Sequence, residues 1–328
     1  MTTAMMTAGV ATEDGLVVRE VPRPEAGPEQ VLVRVRAAGL NRADLGAAKA
    51  LYLPGGAGMN KPIGLEWAGE VVGVGEGVSG IKEGDRVLAS GSGGYAEYAV
   101  TDMGRVLPIP ANNMSYEQAA GLPIALITMH NAVVTQGRLA KGEAVLIQGA
   151  SSGVGLMGMQ IAKAMGAELV IGSSTTDARR ARLGEFGADL AIDSSDGGWA
   201  DQVLEATGGD GVHLIVDMIS AGVMNDNMKA TRVLGRIVNV GRLGGFTGEF
   251  DFDLHARKRI DYIGVTFRTR SIEEVREIVW RMREDLWEAV TAGDLSLPID
   301  KTFALKDAVA AQEHMRANEH FGKIILTG

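Results

Sequence analysis

Cysteine is absent from this 328-residue sequence. Its absence excludes disulfide bonds, thiol nucleophiles and every metal site built on thiolates. Among the five histidines, no two have the four-residue spacing that places a metal-binding pair on one face of a helix. We therefore expect no bound metal.

Long hydrophobic runs and an excess of basic residues are also missing. No apolar stretch approaches the ~18 residues that a membrane-spanning helix needs. The N-terminus lacks the basic start and apolar stretch of a secretory signal, so we expect a cytoplasmic protein without a membrane partner. Acidic residues outnumber basic ones by 41 to 32, and the net charge of −9 repels phosphate backbones. This charge argues against a nucleic-acid partner.

Residues 1–122 have the pattern of a β-rich domain. Val31–Arg36 alternates apolar and polar residues, as a half-buried strand does. Closely spaced glycines then separate short apolar pieces between Gly64 and Gly94. This pattern predicts a curled, largely antiparallel domain.

The pattern changes to alternating strands and helices in residues 123–262. Apolar strands are predicted at 144–148 and 168–171, each followed by a helix, at 154–165 and 177–186. Further strands are predicted at 191–192, 214–216 and 236–240. Strands that alternate with helices of this length indicate right-handed βαβ units and a parallel sheet. The remainder, 263–328, is predicted to contain a helix at 272–292 and a strand at 323–326.

The segment Gly149–Gly155 is a glycine-rich turn between a predicted strand and a predicted helix. In this context backbone N–H groups at the helix start hold a pyrophosphate. The strict G-x-G-x-x-G pattern is not met, because Ala150 and Ser152 replace its first two glycines. The surrounding βαβ spacing nevertheless favours dinucleotide binding over a purely structural turn. The candidate contacts are Ala150, Ser151, Ser152, Gly153, Val154 and Gly155.

The same turn also matches G-x-S-x-G, the nucleophile elbow of α/β-hydrolases. Asp217 and His255 lie downstream as possible triad partners. That fold needs several sheet strands and an oxyanion loop before the elbow, whereas the preceding region here is predicted to be a separate β-domain. The hydrolase is therefore the weaker alternative.

The end of the second strand in this region favours NADPH over NADH. NAD sites place an acid there for the ribose 2′-hydroxyl, whereas this chain has small hydroxyl residues followed by arginines. A 2′-phosphate is compatible with Ser173, Ser174 and Thr176 and would be bound by Arg179, with Arg180 as second choice. Gly241, Arg242 and Leu243 follow the fifth strand at its carboxyl end, where open α/β sheets bind ligands.

Seven short motifs are distributed along essentially the whole chain: Gly39–Asp44, Gly64–Glu66, Glu83–Val87, Leu126–Thr128, Gly149–Gly155, Gly187–Asp189 and Gly322–Leu326. Together they resemble the quinone oxidoreductase branch of the medium-chain dehydrogenase/reductase superfamily. The resemblance implies an α/β protein with a GroES-like β-rich catalytic domain (1–122, completed by 263–328) and a doubly wound parallel-sheet Rossmann domain (123–262). It also implies a homodimer.

The resemblance further implies that the catalytic zinc of related enzymes is absent. Zinc-containing relatives have a cysteine near Asn41, a histidine at Leu65 and a cysteine near Ile124, and all of these are replaced here. Asn41 and Tyr52 match the family's polar active-site pair, Thr128 the position facing the nicotinamide carboxamide, and Asn318 a cofactor contact. Glu66 and Asp44 are interpreted as structural.

These observations predict a zinc-independent oxidoreductase that transfers hydride from NADPH to a small electrophile. Without a metal, acceptors that disperse negative charge themselves are favoured, namely quinones and α,β-unsaturated carbonyl compounds. Two alternatives stay open: a zinc-free carbonyl or alcohol oxidoreductase, and a crystallin-like protein that binds NADPH without turnover.

Overall fold

A computed structural model describes residues 4–47 and 60–328. The described residues divide into two compact units, one drawn from Met1–Ile124 and Phe267–Gly328, the other from Ala125–Thr266. The strands in chain order are β1 (Met5–Thr12), β2 (Gly15–Pro22), β3 (Gln30–Gly39), β4 (Glu66–Val74), β5 (Arg86–Ser90), β6 (Tyr98–Asp102), β7 (Val106–Pro108), β8 (Ala144–Gln148), β9 (Leu169–Ser173), β10 (Leu190–Ile192), β11 (Val212–Asp217), β12 (Thr231–Asn239), β13 (Asp261–Gly264), β14 (Ile299–Ala304) and β15 (Lys323–Thr327).

The helices of the described residues connect these strands. They are α1 (Arg42–Ala47), α2 (Tyr116–Ala120), α3 (Pro123–His130), α4 (Gly153–Ala164), α5 (Asp177–Arg180), α6 (Trp199–Ala206), α7 (Met224–Ala230), α8 (Phe252–Lys258), α9 (Ile272–Ala292) and α10 (Ala308–Ala317). A π-helical segment, Asn131–Gln136, continues α3. Within the described ranges, no helix is both long and apolar enough to cross a membrane.

The unit Ala125–Thr266 contains a six-stranded sheet in the order β10-β9-β8-β11-β12-β13. Every neighbouring pair is parallel. All residues of Ala144–Gln148 are buried, as expected of a parallel strand covered on both faces. The direction of winding reverses between β8 and β11, and open α/β sheets bind ligands at the carboxyl ends of strands at such a point.

The other unit is built on a seven-stranded sheet, ordered β14-β15-β3-β4-β5-β7 with β6 also paired to β3, and on the hairpin β1-β2. Its core contains fully buried Trp67 and Tyr95. Helix α9 begins at a capping box, in which Ser271 Oγ accepts from the Glu274 N–H (3.2 Å) and Glu274 Oε2 accepts from the Ser271 N–H (2.8 Å). It ends at Gly293, whose φ of +87° suits glycine.

The predicted α/β fold class, with a β-rich domain and a doubly wound parallel-sheet domain, is confirmed. The helix predicted at 177–186 is wrong in extent: it consists of α5 and a separate 3₁₀ segment, Leu183–Phe186. Gly184 lies within the second piece, and glycine destabilises a helix interior by about 1 kcal/mol relative to alanine.

Candidate functional site

The glycine turn, Gly149–Gly155, connects β8 to α4 at the carboxyl edge of the parallel sheet. Gly149 has a φ of +73°, which glycine adopts without strain. A Cβ on Gly155 would lie 2.6 Å from both the Cα of Ala150 and the carbonyl oxygen of Gly149. Glycine is therefore required at both positions, and the resulting backbone is bare enough for a pyrophosphate to approach closely.

Ser152 forms the N-cap of α4. Its Oγ accepts a hydrogen bond from the Gly155 N–H (3.1 Å) and donates one to the Gly149 carbonyl (2.9 Å). Because the Ser152 hydroxyl is bonded on both sides within the turn, its side chain stabilises the turn, and Ser152 contributes to the site through its backbone. The first N–H groups of the helix, those of Gly153 and Val154, have no carbonyl partner within the helix and are the donors suited to an anion.

The end of β9 is hydrogen-bonded to this turn. The Ala150 N–H donates to the Ser173 carbonyl (2.8 Å), and Ser174 Oγ donates to Ser151 Oγ (3.1 Å). Ser173 and Ser174 are buried, whereas Thr176 is exposed. The predicted ribose-side residues and the predicted pyrophosphate-side residues therefore lie next to each other in this unit.

Arg180, the second-choice ligand for a 2′-phosphate, is bonded to several protein acceptors. Arg180 Nη1 donates to the Ser174 carbonyl (2.8 Å) and lies 2.9 Å from Asp193 Oδ2. Its Nη2 pairs with the exposed carboxylate of Asp177. The Arg180 guanidinium is therefore held beside the end of β9 by protein acceptors.

The loop after β12 packs against the loop after β11. A Cβ on Gly241 would lie 2.6 Å from the Met218 carbonyl oxygen, so only glycine fits. The Leu243 N–H donates to that carbonyl (3.1 Å), and the Leu243 side chain is exposed. Arg242 is half-buried, and its Nη1 donates to the Val240 carbonyl (3.3 Å).

A buried chain of hydrogen bonds lies beneath the glycine turn, and every donor in it points the same way. The Gly149 N–H donates to Ser173 Oγ (3.0 Å), and this hydroxyl donates to Gln148 Oε1 (2.6 Å). Gln148 Nε2 donates to Asn227 Oδ1 (3.0 Å), and Asn227 Nδ2 donates to Asp217 Oδ2 (3.1 Å). The chain therefore ends on a carboxylate, and the four side chains in it are 0% exposed.

The Asp217 carboxylate also fixes the loop that follows β11. Its Oδ1 accepts from the N–H groups of Ile219 (2.8 Å) and Ser220 (3.0 Å). Ser220 Oγ in turn donates to the Gly241 carbonyl (2.6 Å) and accepts from Asn239 Nδ2. Burial raises the pKa of Asp217, and the amides of Ser220 and Ile219 oppose this effect.

In the other unit, Asn41 belongs to a buried charged cluster. Asn41 Nδ2 donates to Glu66 Oε1 (2.9 Å), and its Oδ1 accepts from Lys323 Nζ (3.2 Å). Lys323 Nζ also forms an ion pair with Glu66 Oε1 and donates to the Leu40 carbonyl (2.8 Å). Glu66 Oε2 accepts from the Ile124 N–H (2.8 Å), so both carboxylate oxygens are satisfied. The cluster fixes the orientation of the Asn41 amide.

Asp44 lies beside this cluster. Its Oδ2 accepts from the Asn41 N–H (2.8 Å) and from the Tyr95 hydroxyl (2.8 Å). Burial raises the pKa of Asp44 from 3.8 to about 7, although both of these hydrogen bonds act to lower it. Burial, together with the charge of Asp44, raises the pKa of Tyr95 as well.

The remaining predicted residues have different placements. Thr128 is half-buried on α3 and is flanked by buried Ile127 and Met129. Asn318 ends α10 with a φ of +57°, and its Oδ1 accepts from Arg42 Nη2 (2.7 Å). Tyr52 lies outside the described residues.

Comparisons with known proteins agree with this architecture. Residues 27–111 match the family described as "Alcohol dehydrogenase GroES-like domain", and residues 153–284 match "Zinc-binding dehydrogenase". A quinone oxidoreductase of Pseudomonas aeruginosa is 31% identical over 95% of this chain and 95% of its own length. The chain belongs to the zinc-independent quinone oxidoreductase branch of the medium-chain dehydrogenase/reductase superfamily. The solved structure of a probable oxidoreductase from Mycobacterium abscessus resembles the present chain with a TM-score of 0.85 at 32% identity, covering 100% of both chains.

Another relative is much larger. It is a component of the phenolphthiocerol/phthiocerol polyketide synthase of Mycobacterium tuberculosis, and it is 31% identical over 96% of this chain. The chain spans only 14% of that protein's length. The present chain is therefore similar to one part of that synthase component.

The position of the family's catalytic zinc lacks the ligands that the metal needs. Leu65, directly before Glu66, has no ligating atom, and the sequence has no cysteine. Within residues 4–47 and 60–328, no group of three or more histidine, aspartate or glutamate side chains is placed to hold a metal ion.

The geometry also decides against the hydrolase alternative. Ser151 is bonded to Ser174, whereas Asp217 is bonded to Asn227 and to two backbone amides. The His255 ring lies 5.2 Å from the ring of Phe250. These side chains do not assemble into a Ser-His-Asp arrangement.

Sequence reasoning missed the buried hydrogen-bond network that contains Gln148, Asn227 and Asp217. The available signal was a polar residue at the last position of a mostly apolar strand, as in Gln148 and Asp217.

Proposed function

We propose that this oxidoreductase transfers hydride from NADPH to a quinone or to an α,β-unsaturated carbonyl acceptor. The observation that carries the proposal is the glycine turn with Ser173 and Ser174 bonded to it, at the carboxyl edge of a parallel sheet. The acceptor class is supported by similarity to quinone oxidoreductases and to one part of a polyketide synthase.

The turn fits a dinucleotide by its chemistry. Gly149 and Gly155 keep the backbone bare, and the first amides of α4 supply donors for a pyrophosphate. Gly241–Leu243 offers a second backbone segment along the same edge of the sheet. Thr128 and Asn318 are proposed as further cofactor contacts. When bound, NADPH supplies the hydride.

The preference for the 2′-phosphorylated cofactor rests on charge. Ser173, Ser174 and Thr176 provide no carboxylate to repel a phosphate. Asp177 is paired with Arg180, which reduces its repulsion of an anion. Arg179 is the proposed phosphate ligand, since a guanidinium binds phosphate through charge-assisted hydrogen bonds.

Reduction of an enone or a quinone builds negative charge on the acceptor oxygen, and hydrogen-bond donors must stabilise it. We propose Tyr52 and Asn41 for this role. In the described structure Asn41 Nδ2 gives one hydrogen to Glu66, which leaves its second hydrogen for a ligand. Glu66 and Lys323 hold the amide in place.

The test is steady-state oxidation of NADPH by the purified protein with a quinone, an enone, an enoyl thioester and a simple aldehyde. We expect turnover with at least one of the first three acceptors. Turnover with the aldehyde alone would instead favour a carbonyl reductase, and NADPH binding without any turnover would favour a non-enzymatic role. The homodimer is likewise a proposal, and light scattering on the purified protein tests it.

A further inference from the structure

Asp217 is the end point of the buried hydrogen-bond chain that begins at the Gly149 N–H. The polarity of this chain is set by the carboxylate, because a carboxylate only accepts hydrogen bonds. Asn227 must therefore present its NH₂ group to Asp217 and its oxygen to Gln148. Gln148 in turn presents its oxygen to Ser173, whose hydroxyl proton is thereby directed away from the Gly149 N–H.

The same carboxylate sets the conformation of the loop after β11. Its second oxygen accepts two backbone amides of that loop, at Ile219 and Ser220. Ser220 is bonded to the Gly241 carbonyl, and Gly241 begins the segment predicted to contact the cofactor. Asp217 thus connects the glycine turn on one side with the loop after β12 on the other.

We propose that Asp217 is a positioning residue for the dinucleotide, acting on both binding segments through Asn227 and Ser220 without touching the ligand. This inference rests on the proposed function, since it assumes that the glycine turn binds NADPH. The location of Asp217 supports indirect action: its side chain is 0% exposed, and both of its oxygens are bonded to protein donors.

The structure predicts how a defect at Asp217 spreads. In Asp217→Asn, the new NH₂ group faces the NH₂ group of Asn227, so the Asn227 amide must turn over. Its NH₂ group then faces Gln148, which must turn over as well and donate to Ser173. The Ser173 hydroxyl proton loses its acceptor directly beneath the glycine turn. A buried group without a partner is costly, so the hydrogen bond from the Gly149 N–H to Ser173 Oγ is expected to weaken.

Moving the carboxylate from position 217 to position 227 should restore the hydrogen-bond chain. In Asp217→Asn combined with Asn227→Asp, the new carboxylate at position 227 accepts from the amides at positions 217 and 148. The hydrogen bond between positions 217 and 227 reverses, whereas Gln148, Ser173 and the Gly149 N–H keep their original directions. The oxygen at position 217 still accepts from Ile219 and Ser220. The pair conserves charge, and each replacement is nearly the same size as the original side chain.

The experiment measures the Kd for NADPH, kcat, and hydrogen exchange of the ligand-free protein over residues 145–155. For Asp217→Asn we expect an increase in Kd of about tenfold, kcat within about twofold of the unmodified protein, and faster exchange at Gly149. The double variant should recover both affinity and protection. Val203→Ala is the matched control, because Val203 is 0% exposed in the core of the same unit and takes no part in the hydrogen-bond chain. It should lower the thermal stability while leaving the Kd unchanged.

The outcomes separate this inference from the proposed function. Unchanged affinity in Asp217→Asn, or failure of the double variant to recover it, would overturn the positioning role. If the unmodified protein binds no dinucleotide, the proposed function is wrong, and the exchange data still decide whether Asp217 controls the turn. Equal losses of affinity in Asp217→Asn and Val203→Ala would reduce the effect to general destabilisation and overturn the inference.

Discussion

The Tyr95 hydroxyl donates a 2.8 Å hydrogen bond to Asp44 Oδ2, and neither side chain is more than 1% exposed. Burial dominates over this hydrogen bond and raises the pKa of Asp44 to about 7. The carboxyl group is therefore close to half-protonated at neutral pH, next to the charged cluster that orients Asn41.

This relationship predicts that the stability contributed by Asp44 is lost as the pH rises. The pKa is 3.8 in the unfolded chain and about 7 in the folded protein, so the folded state binds more protons between these values. The contribution is complete below about pH 4 and is lost by the time the pH exceeds about 7, with a total of about 4 kcal/mol. Asp44→Asn has no such titration and keeps an acceptor for Asn41 and Tyr95. Between pH 5 and pH 8, the free energy of unfolding measured by urea denaturation should fall by about 2–3 kcal/mol more in the unmodified protein than in the variant. Parallel pH dependence in both proteins would contradict the assignment.

The ion pair of Glu66 with Lys323 predicts a strong asymmetry between single and double substitutions. Glu66 is 0% exposed, and the Lys323 side chain is 5% exposed. Lys323→Met leaves a carboxylate buried with only its amide partners, and breaking such a pair costs about 3–5 kcal/mol. Lys323→Met combined with Glu66→Gln removes both charges and should recover most of that loss. The free energy of unfolding from denaturant titration measures both effects. A double variant no more stable than Lys323→Met would argue against a desolvated pair.

Cofactor choice is predicted to depend on Arg179. The unmodified protein should bind NADPH at least about tenfold more tightly than NADH, since one charge-assisted contact contributes about 1.5–3 kcal/mol. Arg179→Ala should lose most of this preference with little change in NADH affinity. Arg180→Ala is the comparison, because Arg180 is already bonded to Ser174 and Asp193 and should affect the preference less. Fluorescence titration with both cofactors gives the Kd values, and equal affinities in the unmodified protein would refute the assignment.

Metal independence follows from Leu65 and from the absence of cysteine. Prolonged chelation should leave the rate of NADPH oxidation unchanged, and elemental analysis should find less than about one zinc per two chains. Stoichiometric zinc whose removal abolishes turnover would reverse the interpretation. Re-addition of zinc to the chelated protein serves as the control for damage during treatment.

Sequence reasoning predicted the parallel sheet and the glycine turn because both depend on local patterns. The strand 144–148 and the helix 272–292 have the predicted bounds. The hydrogen-bond chain escaped prediction because Gln148, Ser173 and Asp217 are far apart in sequence and meet only where the ends of parallel strands converge. The bonding of Asn41 escaped it for the same reason, since Lys323 lies 282 residues away. A residue-type match indicates which groups are available, whereas burial and partners decide which of their hydrogens a ligand receives.

The chemistry of the acceptor supplies the final prediction. Once hydride has reached the β-carbon of an enone, charge accumulates on the carbonyl oxygen, where a positioned donor contributes about 10²–10³ in kcat. Tyr52 is the proposed donor, since a phenol with an ordinary pKa near ~10 stays protonated at neutral pH. A quinone spreads the charge through its ring and should depend less on that donor. Tyr52→Phe should therefore slow enone reduction by about 10²–10³ and quinone reduction by much less, at an unchanged Kd for NADPH.

Tyr98→Phe is the matched control, because it makes the same chemical change at a half-buried position on β6. Its ring packs under the Arg23 guanidinium at 3.9 Å, a contact that phenylalanine preserves. Single-turnover measurements with an enone and a quinone separate the chemical step from product release. Equal slowing of both acceptors would point to a general disturbance, whereas full kcat in both Tyr52→Phe and Asn41→Ala would show that other groups stabilise the charge.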